Sequence, residues 1–379
     1  MHISFDKKVE LMSALGLLLI LFWFFPAPVF SEDIASTVIK LPPPAFEVEH
    51  TRSNPRRASR IHSETYKSPM IDTHVHLDPP PLRESKKSRG ITGDRNIDIR
   101  EIVEVIKAAD VEFAIFMPTP NEGREDNHEG GADQKKRLLN LDKNRIKLFC
   151  GSNYITYWLH RAYREGFSEE GLNHILKYLS NDLDSGSYAG VGEIGIYHFN
   201  KLGSQPVIEY PPDFQPFLKV IELVAKKGAW LDIHAEPIDP DGKSYESQLF
   251  GGIELLFNRY PNLKLILSHT AMTNVINARK ILIKYPNVMM NIKIIMKHHE
   301  WRNLEPVTNP KGELYEDWAQ LFEEMPERFM IGTDAKFGRE GFDASKYKKE
   351  IEQMRRILGA LNPKAARLIA YENAQKIFK

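Results

Sequence analysis

Six potential metal ligands, each at the end of a short apolar run, constrain the fold of this chain more than any other feature. They are His74, His76, Glu193, His234, His269 and Asp334. The runs before them, such as residues 70–73 and 230–233, have the composition of buried strands. A polar residue at the carboxyl end of a strand is where a barrel of parallel strands and surrounding helices places its chemistry.

The intervals between these residues fit a repeat of one strand and one helix. His234 and His269 lie 35 residues apart, and Glu193 and His234 lie 41 apart. A barrel of eight such units takes about 250 residues, so that one unit takes roughly 30 to 40. The six residues then lie on strands 1, 4, 5, 6 and 8. Three more apolar runs supply strands 2, 3 and 7, at residues 111–117, 145–150 and 287–292.

Stretches with helical periodicity lie between the predicted strands, at residues 102–106, 172–179, 217–225, 253–257, 275–282 and 318–322. Gly228 follows the third of them in the position that a helix C-cap favours. Two more segments, residues 347–361 and 364–378, complete an outer helical layer. Alternating strands and helices predict a parallel sheet, and eight strands predict an α/β fold closed as a (β/α)8 TIM barrel.

The amino-terminal residues predict a signal peptide. Lysines precede an uninterrupted apolar stretch, residues 15–25, which is too short for a bilayer that takes about 20 residues. Val29 and Ser31 are small enough for the −3 and −1 positions of a cleavage site, so we predict a signal peptide at residues 1–31. The protein is then exported, periplasmic or secreted, with no stable membrane span after cleavage. The alternative is an uncleaved anchor that holds the folded domain outside the cytoplasm.

Residues 32–68 predict a Pro- and Arg-rich linker or arm because they lack sustained apolar periodicity, and residues 69–379 are predicted to form the barrel. The 51 basic and 51 acidic residues balance, so no nucleic-acid partner is expected. The only cysteine, Cys150, excludes an intrachain disulfide and is expected to be a buried apolar residue rather than a nucleophile.

The residue types point to a divalent metal. His74 and His76 lie two apart on a predicted strand, so both imidazoles face one side and can share one cation. Such a cation lowers the pKa of a bound water to about 7. Asp334 is then expected to ligate the metal, to take a proton from the attacking water, or to do both. His269 is expected to ligate a second metal or to protonate the leaving group.

At this point the chain resembles the amidohydrolase superfamily of metal-dependent hydrolases, over roughly residues 69–379. The resemblance rests on the motifs Ile71-Asp72-Thr73-His74-Val75-His76, Gly190-Val191-Gly192-Glu193-Ile194-Gly195, Asp232-Ile233-His234-Ala235-Glu236, Leu267-Ser268-His269 and Gly332-Thr333-Asp334. It implies a TIM barrel of the metal-dependent hydrolase type. The closing segment from Glu372 to Phe378 is similar to the last helix of the amidohydrolase-related branch, which contains hydrolases and metal-dependent decarboxylases.

Glu193 separates the hypotheses on metal number. Many binuclear relatives carry a carbamylated lysine on strand 4, whereas a glutamate there resembles the nucleases of the TatD type, which hold two metals. In the mononuclear branch, strand 4 contributes less to the metal site. The alternative for Glu193 is therefore a structural role, as a carboxylate bonded to neighbouring backbone or to His76. We expect one tightly held divalent ion, with Zn²⁺ as the expected metal, and a weaker second site through Glu193 and His269.

We predict a hydrolase of an ester, lactone or amide bond in a small molecule, with Asp334 and His269 as the catalytic residues. The alternatives are a lyase that removes carbon dioxide from an aromatic or unsaturated acid, and a non-catalytic binding protein of the cell envelope. Three polar residues near strand ends are expected to be solvent-exposed, with contact to the substrate as the alternative: His198, Lys293 and Lys336.

Overall fold

Eight parallel strand positions follow one another around the molecule in sequence order. The computed structural model describes residues 41–49, 58–60, 64–77, 99–119, 138–199, 207–295, 304–337 and 343–379. The strands within these residues are β1 (Ser59–Arg60), β2 (Met70–Leu77), β3 (Val111–Pro118), β4 (Ile146–Gly151), β5 (Gly190–His198), β6 (Ile208–Glu209), β7 (Trp230–Ala235), β8 (Lys264–Leu267), β9 (Val288–Ile292), β10 (Leu314–Tyr315), β11 (Phe329–Ile331) and β12 (Ala335–Phe337). Their order in the main sheet is β11-β9-β8-β7-β5-β4-β3-β2-β12.

The eighth strand closes the sheet into a barrel because it pairs on both sides. Its first part, β11, runs parallel to β9, and its second part, β12, runs parallel to β2. Between the two parts, the backbone N–H of Gly332 donates to Ile292 (3.0 Å) and that of Asp334 donates to His74 (2.9 Å). The predicted (β/α)8 barrel is therefore confirmed, with the last strand split at the residues that carry Asp334.

Helices cover the barrel where the periodicity predicts them. They are α1 (Ile99–Ala108), α2 (Ser152–Glu165), α3 (Glu169–Asp184), α4 (Gln215–Lys227), α5 (Glu246–Arg259), α6 (Val275–Lys284), α7 (Glu316–Glu324), α8 (Ala344–Gly359), α9 (Pro363–Arg367) and α10 (Asn373–Phe378). Gly228 ends α4 in the left-handed conformation (φ 64°), as predicted. The structure adds α2, which the sequence analysis missed because its aromatic and β-branched residues at 154–158 favour a strand.

Apolar side chains from six strands form one core cluster with the last helix: Ile71, Phe113, Ile115, Met117, Phe149, Ile266, Met289, Met330, Ala374 and Phe378. The ring of Phe378 lies 5.8 Å from that of Phe149 and 6.2 Å from that of Trp230, the first residue of β7. Helix α10 therefore packs at the amino ends of the strands, and their carboxyl ends are left for the polar residues. Cys150 is 2% exposed, in agreement with its predicted apolar role.

The described residues of the predicted arm pack on the barrel. The side chain of Asn277 on α6 both accepts from the backbone N–H of Glu49 (3.0 Å) and donates to its carbonyl (2.8 Å). The ring of Phe46 lies 5.6 Å from that of Phe250 on α5. Residues 1–31, the predicted signal peptide, lie outside the described residues. Within the part of the chain that the structure describes, no helix is long and apolar enough to cross a membrane.

We expect the arm to contribute to stability through Arg60. Its guanidinium donates to both carboxylate oxygens of Glu316 (3.1 and 2.6 Å) and to Glu323 (2.8 Å). Such forked, charge-assisted bonds are strong, although partial exposure weakens them. Arg60→Ala should lower the free energy of unfolding by about 1–2 kcal/mol in urea titrations. The exposed Arg356, changed to Ala as a control, should shift it by less than about 0.5 kcal/mol. Equal effects of the two changes would contradict a stabilising arm.

Candidate metal centre

The six predicted ligands converge at the carboxyl ends of the strands. His74 and His76 come from β2, Glu193 from β5 and His234 from β7, while His269 follows β8 and Asp334 lies between β11 and β12. Their side chains are almost entirely buried; even that of Glu193, the most accessible among those in ion-pair contact, is only 10% exposed. We call these six residues the histidine–carboxylate centre. Five separate strand positions therefore supply one compact polar cluster inside a largely apolar barrel.

One group within the centre fits a divalent cation. The Nε2 atoms of His74 and His76 lie 3.2 Å apart. The Oδ1 atom of Asp334 lies 3.1 Å from Nε2 of His76 and 3.8 Å from Nε2 of His74. Two ligands bound tetrahedrally at about 2.1 Å are roughly 3.4 Å apart, so these three atoms can bind one ion with small adjustments. Imidazole nitrogens and a carboxylate oxygen form a ligand set suited to Zn²⁺.

Glu193 lies in the middle of the four histidines. Its Oε1 atom is 2.8 Å from Nδ1 of His234, 3.3 Å from Nε2 of His269 and 3.5 Å from Nε2 of His74. Its Oε2 atom is 3.4 Å from Nε2 of His76. The two oxygens thus face different histidines, which is the arrangement that a carboxylate shared between two sites requires.

Opposite charges hold Glu193 and His234 in their ionised forms. Burial alone would raise the pKa of the Glu193 carboxyl, but the neighbouring charges of His234 and His74 bring it well below its ordinary value. Burial alone would lower the pKa of His234, yet the charge and hydrogen bond of Glu193 raise it to about 9. In the metal-free protein this pair is therefore a buried ion pair at neutral pH. A cation that binds there must displace a proton.

This ion pair predicts how stability depends on pH in the metal-free protein. Because the folded pKa of His234 lies near 9 and the unfolded value near 6.5, its stabilisation is complete below pH 6.5 and is lost as the pH rises through 9. In EDTA, raising the pH from 7 to 10 should remove on the order of 3 kcal/mol from the wild type. His234→Gln should lack this loss when unfolding is followed in urea. Parallel pH profiles for the two proteins would contradict the assignment.

Two lysines accompany Asp334, which corrects the expectation that they are simply exposed. Lys293, next to the end of β9, forms an ion pair with Oδ2 of Asp334, and Lys336 on β12 lies 3.1 Å from Oδ1. Burial would raise the pKa of the Asp334 carboxyl, but the charges of Lys293 and Lys336 bring it well below its usual value. Asp334 is consequently ionised throughout the neutral range. The lysines also bring positive charge to this end of the barrel.

His269 and Asp334 both lie on unusual backbone. Their φ angles are 57° and 58°, in the left-handed region that residues with a side chain rarely adopt. His269 begins a run of left-handed residues that continues through Met272. Burial and the charge of Lys293 lower the pKa of His269 well below its ordinary value, so its imidazole is neutral. Outliers of this kind are typical of functional sites.

A buried polar layer supports the centre from below and was not predicted in full. Asp232 accepts from Ser268 and from Nδ2 of Asn291 (3.3 Å), and its Oδ2 lies 3.4 Å from Nδ1 of His74. Asn291 also accepts from the backbone N–H of His269 (2.8 Å). The layer fixes the ring of His74 and the turn that carries His269. The alternation Asp232, His234, Glu236 along β7 is the sequence signal that could have revealed it.

Two glycines allow the strands to come close enough for this arrangement. A Cβ on Gly332 would lie 2.7 Å from Cβ of His74, and a Cβ on Gly192 would lie 2.6 Å from Cβ of Asp232. Gly192 also has a φ of 145°, which L-residues rarely adopt. Each glycine stands within one or two residues of a predicted ligand, Glu193 or Asp334. Larger residues at these positions would push apart the strands that carry the ligands.

His198 is not the solvated loop residue that the sequence analysis expected. It is the last residue of β5, largely shielded from solvent, and its ring lies 4.6 Å from that of His234. Burial and the charge of His234 lower its pKa to about 4. Glu236, which is 1% exposed, also approaches the ring of His234: its Oε1 atom lies 3.4 Å from Nε2 of His234. The residues around His234 thus extend beyond the six predicted ligands.

The fold and this centre together define a (β/α)8 barrel with histidine and carboxylate ligands at the carboxyl ends of its strands. The sequence model of the amidohydrolase family matches residues 193–379, a range that includes Glu193, His234, His269 and Asp334. This match confirms, over the second half of the chain, the resemblance predicted from the motifs. None of the curated proteins matches the chain significantly.

Several solved structures resemble the barrel. A 2,6-dihydroxybenzoate decarboxylase from Rhizobium is 12% identical, with a TM-score of 0.50, and the alignment covers 82% of this chain and 99% of that chain. A 5-carboxyvanillate decarboxylase from Sphingomonas paucimobilis is 12% identical (TM-score 0.44; 82% and 99% covered). A probable 2-pyrone-4,6-dicarboxylic acid hydrolase from Acinetobacter baumannii is 10% identical (TM-score 0.47; 82% and 98% covered). At these identities the likeness concerns the fold, and the neighbours include both hydrolases and decarboxylases.

Proposed function

We propose that this protein is a metal-dependent hydrolase that cleaves an ester, lactone or amide bond of a small molecule. The observation that carries the proposal is the convergence of imidazoles and carboxylates from five strand positions within hydrogen-bonding distance of one another. A buried cluster of this kind is costly to assemble unless it holds a cation or performs chemistry. The match of residues 193–379 to the amidohydrolase family supports the same reading.

His74, His76 and Asp334 would hold the principal cation, for which we propose Zn²⁺. When bound, a divalent cation supplies a Lewis acid that polarises a carbonyl oxygen and makes a nearby water more acidic. Asp334 is ionised and directs one oxygen toward His76, so it can orient the attacking water and accept its proton. His269 is neutral, and a proton that it gives to the leaving group must first come from that water.

Decarboxylation of an aromatic or unsaturated acid is the second candidate, because one observation favours a substrate that carries an acidic group. Lys293 and Lys336 flank Asp334 and bring two positive charges to the end of the barrel where a substrate would enter. Cationic side chains at this position suit a substrate that carries a carboxylate. The same lysines also suit the hydrolysis of an ester or lactone with an acidic substituent, so they do not by themselves favour one reaction.

Labelled water distinguishes the two reactions. The zinc-loaded protein would be incubated with a panel of lactones, esters, amides and aromatic carboxylic acids in H₂¹⁸O, and the products examined by mass spectrometry. A hydrolase incorporates one ¹⁸O atom into its product for each bond cleaved, whereas a decarboxylase releases carbon dioxide and leaves no label in the remaining aromatic ring. Asp334→Asn serves as the matched inactive control. Release of carbon dioxide without label incorporation would replace the hydrolase proposal with the decarboxylase.

We also propose that the protein works outside the cytoplasm, on the basis of the apolar segment at residues 15–25 and the small residues that follow it. An exported hydrolase would act on small molecules that reach the cell envelope. Mass determination of the protein purified from its envelope fraction tests the proposal. A chain that begins at Glu32 would support cleavage after Ser31, and an intact amino terminus in the membrane fraction would support the anchored alternative.

A further inference from the structure

The chain that connects β9 to α7 borders the metal centre. It starts at Lys293, which forms an ion pair with Asp334, and it ends at Glu316, the first residue of α7. Because β9 runs parallel to its neighbours in the barrel, the connection leaves from the carboxyl ends of the strands. Connections at this end select the substrate in barrel enzymes. We call residues 304–315 of this connection the entrance loop.

The second half of the entrance loop is a short hairpin. Thr308 and Leu314 form an isolated antiparallel bridge, and the backbone N–H of Asn309 donates to the carbonyl of Glu313 (2.9 Å). The Oδ1 atom of Asn309 accepts from the backbone N–H groups of Lys311 (2.9 Å) and Glu313 (3.1 Å), which fixes the turn. A hairpin of two strands is at best marginally stable in water. It therefore needs a further partner to keep one conformation.

The amino-terminal arm supplies that partner. Its strand β1 pairs antiparallel with β10, which is part of the hairpin. The backbone N–H of Glu316 donates to the carbonyl of Ala58 (3.0 Å), and Nδ2 of Asn309 donates to Oγ of Ser59 (3.1 Å). A third strand is what gives a small antiparallel sheet its stability. In this protein the third strand comes from a segment that lies 250 positions earlier in the chain.

The arm is itself fixed to the barrel farther along the chain. The guanidinium of Arg355 on α8 donates to the carbonyls of Tyr66 (3.1 Å) and Ser68 (2.9 Å), and the carbonyl of Arg355 accepts from the N–H of Tyr66 (3.0 Å). A Cβ on Gly359, in the same helix, would overlap the carbonyl oxygen of Glu64. Glycine at this position therefore lets the arm lie directly on the helix, and β1 is held by a segment that is bound to the barrel.

We propose that the arm positions the entrance loop, and that β1 thereby shapes the opening through which a substrate reaches the metal centre. The predicted metal ligands lie on or next to the barrel strands and not in the loop. Loosening the loop should therefore weaken substrate binding and leave metal binding intact. The effect on the substrate rests on the proposed function, whereas the ordering of the loop by the arm does not.

Hydrogen–deuterium exchange in the full-length wild type tests the ordering of the loop and needs no variant to fold. The amides of Tyr315 and Glu316 should be protected, because they donate to the carbonyls of Val307 and Ala58. If both amides exchange as fast as those of an unstructured peptide, the hairpin is not held by the arm and the proposal is overturned.

Two changes at one residue separate strand pairing from the ion pairs of the arm. Arg60→Pro removes a backbone N–H from β1 together with the guanidinium, whereas Arg60→Ala removes only the guanidinium. Relative to the amides of β7, residues 304–316 should exchange at least about 10-fold faster in Arg60→Pro, and less so in Arg60→Ala. The exposed Arg356, changed to Ala as a control, should leave exchange unchanged. Equal exchange in Arg60→Pro and Arg356→Ala would contradict the proposal.

A substrate found with labelled water adds a readout of binding. Arg60→Pro should raise KM by about 10-fold, with kcat within about twofold of the wild type and an unchanged Zn²⁺ content. An unchanged KM in a variant whose loop exchanges faster would overturn the role of the arm in shaping the entrance. A wild type that cleaves no substrate would count against the proposed function, and the exchange measurements would still decide whether the arm positions the loop.

Discussion

Replacing His76 with alanine should weaken binding of the principal metal ion by at least about 100-fold, because even residues that only support a ligand contribute about 10- to 100-fold. The Nε2 atom of His76 lies within 3.5 Å of ligand atoms from three other residues: His74, Glu193 and Asp334. Its loss removes one metal ligand. It also leaves the carboxylates of Glu193 and Asp334 to repel each other, because no cation is bound between them. Competition titration of Zn²⁺ against a chromophoric chelator measures the affinity directly.

The matched control for this experiment is His174→Ala, on the outer helix α3. It should leave the affinity unchanged, since the residue is exposed on this helix and its ring meets the ring of Tyr178 edge to face. Turnover of any substrate found should fall together with the metal content of His76→Ala and recover in part at high Zn²⁺ concentration. Unchanged affinity in His76→Ala would remove the principal site from the proposal.

Replacing Asp72 with alanine should produce the largest loss of stability among single changes near the centre, about 3 kcal/mol or more. The carboxylate is fully buried and accepts from the backbone N–H and the hydroxyl of Thr333 (3.0 and 2.6 Å), from the hydroxyl of Tyr347 (3.2 Å) and from the backbone N–H of His74 (3.3 Å). Without it, four donors remain buried without this acceptor. The neighbouring Asp334, with its φ of 58°, would also lose the bonds that hold its turn.

Urea unfolding measures this loss, and two further variants calibrate it. Tyr347→Phe removes one donor and should cost about 1 kcal/mol. Asp241→Ala, in an exposed turn, should change the free energy of unfolding by less than about 0.5 kcal/mol. Because the turn carries a metal ligand, Asp72→Ala should bind Zn²⁺ more weakly than Asp241→Ala does. If Asp72→Ala had the same free energy of unfolding as the wild type, the turn at Asp334 would not depend on this carboxylate.

The strand positions of the barrel could be predicted because each strand has a local signature. Residues 111–117, 145–150 and 287–292 are short apolar runs, and the structure places β3, β4 and β9 there to within one residue. The helix stop at Gly228 is equally local, since it depends on the backbone freedom of one residue. Helix α2 could not be predicted, because packing of its buried Tyr154, Ile155 and Tyr157 overrides their strand propensity.

The ligand types of the centre were determined by the sequence, because a histidine or carboxylate at a strand end is visible in the order of the residues. Their contacts were decided by the tertiary structure, because contacts between residues 41 or more positions apart depend on how the barrel closes. The bond of His234 to Glu193, the ion pair of Asp334 with Lys293 and the approach of His198 to His234 all arise across strands. No sequence period records which nitrogen of an imidazole faces which carboxylate; that follows only from three-dimensional packing.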